Sequence, residues 1–555
     1  MNVDLAPADI IDLPAEVRRQ SDNEAKIQLS RDAIPLPKDH FGQRFLLRVI
    51  VFAGGFSGIG IELGASRLIA PYFGSSTFIW ANLIGLTLLY LSIGYYFGGR
   101  VADRYPVPWI LYSVTAVAAF TTGLIPIMSR PILLASVTAF DRFAVGAFYG
   151  SLIAVLLFFA VPITLLGFVT PYVIRLRLSS VDAAGHTAGN VYALSTLGSI
   201  AGSFIPVLVL IPLMGTARSF LVLSLVLFLP AIAGLLTLRA IVPAIGAGLL
   251  ALTLLVLTGS VDSFAIRPAQ RGTLVYETES ADNYIQVLQD DGTFLLMLNE
   301  GHAVHSIYNP NELLTRGPWD YFMVGPLFNQ NAHQESTESA MLIGLAGGTV
   351  ARQLTAAYGP IPIDGVEIDP EIARVGREFF AMESANLNII VADGRYVLRT
   401  TDNSYDLIGV DAYRQPYIPF QLTTREFFQE IADHLNPNGV AVVNVGRTAT
   451  DYRLVDVIAS TMKSVYPHVY VIDVERFSNS IVVGTLDSTT LETFARQVEA
   501  LPSDSILRTV GARAVESGNI REVAAGGRVF TDDHAPVELV VDQIILDVAR
   551  RENGS

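Results

Sequence analysis

The stretch Ala340-Met341-Leu342-Ile343-Gly344-Leu345-Ala346-Gly347-Gly348-Thr349 predicts the fold of the C-terminal half of this 555-residue chain. Its first four residues are apolar and fit a buried strand, and the glycines fit a tight turn into a helix that begins near Val350. Glycine tolerates positive φ and lets the backbone approach a ligand, and a helix N-terminus offers N–H groups. The stretch therefore predicts a strand–turn–helix unit that binds a ligand, although a glycine-rich turn alone is weak evidence.

An acidic residue ends the next predicted strand. Glu367 follows Gly344 by 23 positions, and a carboxylate at this spacing can accept hydrogen bonds from both hydroxyls of a ribose. Asp369 fits a different role, as the cap of the helix that starts at Pro370. Glu367 does not fit such a cap, so it is the better candidate for the ribose.

Two further predicted strands also end in acids. Residues 387–392 lead to Asp393, and residues 405–410 lead to Asp411. Parallel strands place their carboxyl ends at one edge of a sheet, so we expect Glu367, Asp393 and Asp411 to converge beside the glycine turn. A nicotinamide-dinucleotide fold would not require the last two acids. Adenosyl-sulfonium transferases use both, one near the adenine amino group and one near the reacting centre.

A small β unit precedes these strands. Residues 284–287 and 294–298 read as paired strands joined by the turn 290–292. The sequence therefore predicts a β unit over 268–335 and a Rossmann-like α/β domain over 336–548.

The N-terminal half has the composition of a membrane protein. The chain is 51% hydrophobic and 16% charged, with a mean hydropathy of +0.44, whereas globular proteins carry about 25% charged residues. Seven apolar stretches are long enough to span a bilayer as helices: 47–66, 77–98, 108–128, 145–174, 188–213, 217–237 and 240–259. We expect a flexible polar tail over 1–43 and a transmembrane helical bundle of seven or eight spans over 44–262.

The orientation of the bundle follows from its arginines. Three connections carry them: Arg100 and Arg104 in one, Arg175 and Arg177 in another, and Arg239 in a third. The positive-inside rule places these connections in the cytoplasm, and seven spans would then leave the C-terminal half outside. A cofactor made in the cytosol needs that half inside. An extra crossing or a re-entrant segment within 131–177 would reconcile the two, so we expect a multi-pass inner-membrane protein with a cytoplasmic soluble domain.

Glu62 lies inside the first predicted span. An ionisable group in a membrane is a functional candidate, because leaving it unpaired costs several kcal/mol. An internal ion pair that orders the bundle is the alternative, and the sequence does not choose between them.

Composition also excludes several kinds of site. The chain has no cysteine, and its eight histidines show no metal-binding spacing, so we expect no metal site. The net charge of −15 argues against nucleic acid as a partner.

Residues 339–445 resemble the spermidine synthase (polyamine aminopropyltransferase) family, and most of all its membrane-fused branch. The stretches that carry the resemblance are 344–348, 366–370, 393–395, 405–413, 418–419, 422–428 and 435–440. Residues 531–538, and 62–76 and 190–198 in the apolar half, are also similar to that branch. The resemblance implies that the Rossmann-like domain over 336–548 is of the class I methyltransferase or spermidine synthase type.

The resemblance assigns roles to individual residues. It implies that Glu367 holds the ribose, that Asp393 holds the adenine, and that Asp411 is the base or the orienting carboxylate beside the attacking amine. Asn283 falls where the family has an amide that touches the cofactor, and Tyr321 falls at the family's active-site tyrosine. The remaining expected cofactor contacts are Gly344, Ala346, Gly348 and Gly394.

Three departures from the family pattern bear on the substrate. The family's glycine loop carries an aspartate that binds the aminopropyl ammonium, and this chain has Gly347 there. Arg414 replaces a second acid, and the stretch 321–323 reads Tyr-Phe-Met where the family has Tyr-His-Glu. Polyamines are held by carboxylates, so these changes weaken the case for polyamine specificity. The loss at Gly347 also removes what would repel the carboxylate of intact S-adenosylmethionine.

The sequence therefore predicts a membrane-anchored transferase that moves an aminopropyl or other alkyl group. The donor would be decarboxylated S-adenosylmethionine or S-adenosylmethionine, and the acceptor a small amine; the lipid bilayer is the other expected partner, and a homodimer is left open. A S-adenosylmethionine-dependent methyltransferase is one alternative. A transporter or membrane sensor whose soluble domain binds a nucleoside without turnover is another, because residues 99–104 faintly resemble a loop of facilitator-type transporters.

Overall fold

The computed structural model describes most of the chain beyond the N-terminal tail. The described residues are 41–73, 77–140, 146–178, 180, 182–259, 269, 271–299, 303–329, 337–413, 417–516 and 518–553. Almost all of the predicted tail over 1–43 lies outside the described residues, and so does Arg414.

Apolar helices make up the N-terminal half of the described chain. They are α1 (Phe41–Phe73), α2 (Thr77–Arg104), α3 (Pro108–Phe140), α4 (Gly146–Gly167), α5 (Val169–Arg177), α6 (Ala184–Ile205), a π-helical turn (Pro206–Leu210), α7 (Ile211–Thr237) and α8 (Ile241–Gly259). Large apolar side chains face outward, and Leu213 and Val242 are 76% and 81% exposed. Such a surface suits lipid rather than water.

Six helical stretches among the described residues are long and apolar enough to cross a membrane. They are Gly42–Tyr72, Ile79–Arg104, Pro108–Leu133, Leu152–Arg177, Ala184–Thr237 and Ile241–Gly259. The fifth has 54 residues, about 80 Å as one straight helix, whereas a bilayer core is about 30 Å thick. Gly215 breaks it with a φ of 80°, and α6 and α7 both pack against α1. The number of crossings stays a prediction.

The extra crossing or re-entrant segment predicted within 131–177 stays a prediction. Among the described residues of that region, α3 ends at Phe140, and α4 and α5 are separated only by Phe168. Pro162 lies within α4, and Pro171 lies in the first turn of α5, where proline is tolerated. Without an extra crossing, the positive-inside rule and the supply of a cytosolic cofactor require opposite orientations of the bundle.

Four arginines, Arg44, Arg48, Arg175 and Arg177, lie at the end of the bundle away from the soluble domain. Arg177 lies near Arg44 and Arg48, and Arg175 forms an ion pair with Asp103 at 3.0 Å. The opposite end of α1 touches the soluble domain, where the Arg67 guanidinium donates to the carbonyl of Ser280 at 3.5 Å. Arg44 and Arg67 are 23 residues apart, about 35 Å along a helix, which is enough to cross a bilayer.

The soluble half begins with a four-stranded antiparallel sheet. Its strands are β1 (Thr273–Glu279), β2 (Tyr284–Asp290), β3 (Thr293–Leu298) and β4 (Val304–Tyr308), paired in chain order. A 3₁₀ helix, Pro318–Phe328, then leads into the main domain and is buried along its length.

The main domain is a Rossmann-like α/β fold. Its strands are β5 (Ala340–Ile343), β6 (Ile363–Glu367), β7 (Leu387–Val391), β8 (Tyr405–Val410), β9 (Leu435–Gly446), β10 (His468–Asp473), β11 (Asn479–Thr485) and β12 (Ile520–Glu522). The sheet order is β12-β10-β11-β9-β8-β5-β6-β7. The pairs formed among β5 to β9 are parallel, and the pairs β9–β11, β11–β10 and β10–β12 are antiparallel.

Helices cover both faces of this sheet. They are α9 (Thr349–Tyr358), α10 (Pro370–Phe379), α11 (Gly394–Thr400), α12 (Arg425–Asp433), α13 (Arg453–Lys463), α14 (Leu491–Ala500), α15 (Ile506–Glu516) and α16 (Val537–Asn553). The chain leaves β5 toward β6 on one side, while β8 pairs on the other side. The connections therefore diverge at the carboxyl end of β5, which is where open α/β sheets bind ligands.

Candidate active site

The glycine turn follows β5 and lies against the end of β8. Gly344 has a φ of 90°, and a Cβ there would come within 2.3 Å of the carbonyl oxygen of Asp411. Both the backbone angle and the close approach require glycine at this position. The turn and Asp411 are thus held side by side by adjacent strands.

The N–H groups of the turn already have acceptors within the protein. Ala346 donates to Glu367 Oε2 at 2.9 Å, and Gly347 donates to Ser306 Oγ at 2.8 Å. Gly348 donates to the carbonyl of Leu345 at 2.9 Å. The expectation that this helix start offers free N–H groups is therefore not met at these residues. A dinucleotide would need such groups for its pyrophosphate, so the turn fits a ligand without one.

Glu367 lies at the end of β6 and supports the turn. Its second oxygen accepts from the N–H of Asp369 at 3.1 Å. Burial raises the pKa of Glu367 to about 7, and the hydrogen bonds from the backbone oppose that rise. Each carboxylate oxygen has a second lone pair for a ligand hydroxyl.

Asp393 and Asp369 both cap helices. Asp393 accepts from the N–H of Tyr396 at 2.9 Å, and Asp369 accepts from the N–H of Glu371 at 2.9 Å. The cap expected at Asp369 is thus present. Asp369 also accepts from the side chain of Asn283 at 2.8 Å, which fastens the small β sheet to the main domain.

The structure brings most of the expected ligand contacts to one cavity of about 790 Å³, the first cavity. The residues expected from the sequence that line it are Asn283, Gly344, Ala346, Glu367, Asp393, Gly394 and Asp411. Gly348 does not line it, because the space beside its Cα is filled by Met382 at 2.7 Å from an added Cβ. The three strand-end acids therefore share one crevice.

A second cavity of about 1100 Å³ lies on the other side of Asp411. Four residues line both cavities: His305, Ala346, Asp411 and Tyr413. Its wall also includes Trp319, Asn444, Arg447 and Phe477. Asp411 therefore lies where two separate binding spaces meet.

Asp411 is held by side chains from distant parts of the chain. Asn444 Nδ2 donates to Asp411 Oδ1 at 2.8 Å, and Asn479 Nδ2 donates to Asn444 Oδ1 at 2.9 Å. The indole of Trp319 also donates to Asp411. Burial raises the pKa of Asp411 to about 6, and these two direct hydrogen bonds oppose the rise. The carboxyl group is thus poised to change protonation near neutral pH.

Tyr321 does not reach either cavity. It is 2% exposed and lies in the buried 3₁₀ helix beside Asp320 and Arg513. Trp319, two residues earlier, occupies the cavity wall instead. One face of a 3₁₀ turn is presented to the cavity, and the sequence did not reveal which face.

His305 is a site residue that the sequence reading missed. It lies in β4 and lines both cavities, and burial lowers its pKa to about 4, so the ring is neutral. Its Nε2 atom is buried and has no hydrogen-bond partner among the described residues. The sequence of β4 does not identify His305 as a site residue, because strand residues point to alternate faces and the sequence does not show which face of β4 meets the glycine turn.

The turn has no space for a side chain at Gly347. An added Cβ would lie 2.9 Å from the Cβ of Ser306 and 3.0 Å from the Cγ of Phe380. An aspartate could therefore be placed here only if Phe380 moved. The replacement of the family's aspartate by Gly347 therefore goes with a change in packing as well as the loss of a negative charge.

Arg395 fastens two segments that wall the first cavity. Its guanidinium bonds Glu430 at 2.8 Å and Asp532 at 2.9 Å, and it also donates to the carbonyl of Gln421 at 3.0 Å. Gln421 and residues 535–539 line the cavity. The sequence similarity around Asp532 therefore marks a structural tie that shapes the wall.

Comparison with known proteins gives a family match and several similar relatives. Residues 326–496 match the spermine/spermidine synthase domain. A "Probable polyamine aminopropyl transferase" of Bifidobacterium longum is 31% identical over 304 residues, which are 50% of this chain and 65% of the relative. A "Polyamine aminopropyltransferase" of Vibrio vulnificus is 32% identical over 238 residues, which are 39% of this chain and 73% of the relative.

Solved structures are similar to part of the chain as well. The crystal structure of a probable spermidine synthase from Corynebacterium glutamicum is 21% identical, with a TM-score of 0.35, and the match covers 46% of this chain and 97% of that chain.

Proposed function

The chain belongs to the spermidine synthase (polyamine aminopropyltransferase) family, and we propose from this membership that it is a membrane-anchored transferase of alkyl groups. The donor is an adenosyl sulfonium, decarboxylated S-adenosylmethionine or S-adenosylmethionine, and the acceptor is an amine. The chain spans 65% and 73% of the two relatives, so the activity of the whole protein is part of the proposal.

One observation carries the proposal: Asp411 lies where the first and second cavities meet. A group-transfer enzyme needs two binding spaces that open onto one reacting point. We assign the first cavity to the donor, since it holds Glu367 and Asp393, and the second cavity to the acceptor.

The reaction is an in-line displacement. The acceptor nitrogen attacks the carbon beside the sulfonium, the new C–N bond forms, and the C–S bond breaks with its electron pair passing to sulfur. The proton lost by the nitrogen passes to Asp411, whose pKa of about 6 leaves it ionised at neutral pH. The leaving group is a neutral thioether, so positioning contributes most of the rate.

Three residues would hold the donor. Glu367 accepts hydrogen bonds from the ribose hydroxyls, and Asp393 accepts one from the adenine amino group. Asn283 contacts the donor from the four-stranded sheet. All three line the first cavity. Tyr321 has no part in this proposal, because it is buried away from both cavities.

Methyl transfer from S-adenosylmethionine is a second candidate, and Gly347 favours it. The family's aspartate at this position would repel the donor's carboxylate, and here Ser306 and Phe380 fill the space. Intact S-adenosylmethionine would therefore meet no negative charge at this point.

The six apolar helical stretches support attachment to a membrane. We propose that the soluble domain lies in the cytoplasm, because adenosyl donors are made there. The positive-inside rule opposes this orientation, because it would place the arginine-rich end of the bundle, which lies away from the soluble domain, in the cytoplasm.

Mass spectrometry of products tests the function. The full-length protein would be incubated with each donor and a set of amines, and then analysed for alkylated amine and for the thioether product. A mass increase of one aminopropyl group supports the family's reaction, and an increase of one methyl group supports the second candidate. If neither donor binds at micromolar concentration, the transferase proposal fails.

A further inference from the structure

A small cavity lies within the bundle, separate from the proposed donor site. It has a volume of about 70 Å³ and is lined by residues of α1, α2, α4, α5 and α6. Six of these residues carry a carboxylate or a hydroxyl group: Glu62, Thr87, Tyr95, Thr170, Ser195 and Ser199. Six such residues around one small space are unusual within a set of apolar helices, where polar groups are expensive.

Glu62 has no partner for its charge in the described part of the chain. Its carboxylate forms no hydrogen bond and no ion pair there. Arg67, the next arginine on α1, lies beside Glu279 of the soluble domain instead. The ion pair that the sequence left open for Glu62 is therefore not formed with Arg67.

The cavity does not come from loose packing around it. A Cβ at Gly55 would lie 2.1 Å from the carbonyl oxygen of Ser195, and one at Gly167 would lie 2.8 Å from the Cα of Gly94. The helices thus touch through their backbones at these glycines. Gly58, one turn before Glu62, faces open space, since an added Cβ there meets no atom within 4 Å.

We propose that this cavity binds the ammonium group of an alkylamine, with Glu62 as its counter-ion. An ammonium has three N–H donors and no acceptor, and a carboxylate with hydroxyl oxygens on several sides can receive all three. Ca²⁺ sites usually combine several carboxylates, and Glu62 is the one carboxylate among the residues that line this cavity. The volume equals about two water molecules, which admits an ammonium head and one or two methylene groups.

The site is independent of the transferase reaction. It lies in the bundle, and none of the residues that line it also lines the first or second cavity. Glu62→Gln should therefore leave turnover in the soluble domain unchanged.

Protection from a hydrophobic carbodiimide tests the proposal. The reagent modifies carboxyl groups in apolar surroundings, and mass spectrometry of the Glu62 peptide measures the rate in the full-length protein. Ethylammonium at ten times its Kd should slow the modification about 10-fold, because only the empty site reacts. Equal concentrations of ethanol or sodium ion should not slow it.

Substitutions sharpen the result. Thr87→Val removes a cavity hydroxyl and should weaken protection by the amine. Thr121→Val is the matched control, because the Thr121 hydroxyl bonds the Val117 carbonyl of its own helix at 3.0 Å outside the cavity. Equal protection by sodium ion, or none by the amine, overturns the proposal. If Glu62 resists the reagent, equal binding of radiolabelled ethylamine to the wild type and Glu62→Gln overturns the proposal as well.

Discussion

The carboxylate of Glu279 receives both the backbone N–H and the hydroxyl of Thr216, each at 2.5 Å. Glu279 ends β1 of the soluble domain, and Thr216 resumes the apolar helix α7 directly after the break at Gly215. The acid therefore caps a helix of the bundle from another part of the fold. Burial raises the pKa of Glu279, and the hydrogen bonds from Thr216 oppose the rise.

A chain of hydrogen bonds connects the residue next to Glu279 with the wall of the first cavity. Ser280, the next residue, donates to Asp369 at 2.5 Å, and Asp369 holds the side chain of Asn283 in the cavity wall. A helix break in the bundle and the proposed donor site are thus joined through three residues of the soluble domain.

Glu279→Ala should loosen the joint between bundle and soluble domain. The Thr216 N–H would lose its acceptor, and an unsatisfied buried donor costs about 1–3 kcal/mol. We expect the detergent-solubilised variant to unfold at a lower denaturant concentration than the wild type. Glu383→Ala removes an exposed carboxylate and serves as the control; an equal change in both variants would contradict the assigned role.

Asp411→Asn should abolish turnover and leave donor binding nearly intact. The amide keeps the shape of the side chain but cannot take a proton, and loss of a general base typically costs 10²- to 10⁴-fold in rate. Single-turnover kinetics measure the rate, and calorimetry measures the donor's Kd. Loss of donor binding together with turnover would mean that Asp411 is a structural acid.

The same residue predicts two pH effects of opposite sign. Activity should rise with pH through about 6, since only the ionised carboxylate accepts the proton. The free energy of unfolding should instead fall as the pH rises from 4 to 6, because the folded state binds this proton more tightly than the unfolded state. Asp411→Asn should therefore raise the free energy of unfolding at pH 7, by at most about 3 kcal/mol, and should leave it unchanged near pH 4.

Glu367 predicts a pH dependence of donor binding. Its pKa is raised to about 7 by burial, and only the carboxylate accepts hydrogen bonds from both ribose hydroxyls. Donor affinity measured by calorimetry should therefore be higher at pH 8 than at pH 6. The comparison is made in the Asp411→Asn background, which removes the neighbouring titration, and Glu367→Gln should flatten the dependence.

Gly347→Asp should not restore the family's ammonium site by itself. The new Cβ meets Ser306 and Phe380 at 2.9 and 3.0 Å, so we expect a lower melting temperature and no gain in affinity for decarboxylated S-adenosylmethionine. Phe380→Ala in the same chain makes space for the carboxylate. The double variant should prefer the decarboxylated donor to S-adenosylmethionine more strongly than Phe380→Ala alone; an unchanged ratio would contradict the role of position 347.

The sequence predicted the features that depend on local pattern and strand order. The glycine turn, the strands and the convergence of Glu367, Asp393 and Asp411 follow from the alternation of strands and helices in a parallel sheet. The sequence does not predict which residue of the 3₁₀ helix faces the cavity. The family resemblance pointed to Tyr321, whereas Trp319 is the residue that lines the second cavity and bonds Asp411. A one-residue step along such a helix turns a side chain by about 120°, and only packing fixes which one points inward.

Other site residues depend on contacts between distant segments. Asn444 reaches Asp411 from β9, and Asn479 supports it from β11. Nothing in the local sequence marks either amide, because its role arises only when β8, β9 and β11 lie side by side. The contact between Thr216 and Glu279 cannot be predicted from the sequence for the same reason, because it joins two segments that are 63 residues apart in the chain.

The orientation of the soluble domain can be tested directly, because the chain has no cysteine. Ser503→Cys places an exposed thiol on the soluble domain, and Ser180→Cys places one after α5, at the arginine-rich end of the bundle. The two ends are separated by the length of α1, about 35 Å between Arg44 and Arg67. A membrane-impermeant maleimide should therefore label the two thiols from opposite sides of the membrane.

The side on which each thiol reacts then decides between two orientations: the one that the positive-inside rule predicts, and the one that gives the soluble domain access to a cytosolic donor. If Ser503→Cys reacts in inverted vesicles and not in intact cells, the soluble domain has access to cytosolic donor and the arginines break the positive-inside rule. If it reacts in intact cells, the rule holds and the proposed donor supply fails, whatever the purified protein does with donor in solution. Reaction of both thiols from one side would contradict the position of the soluble domain at the far end of the bundle.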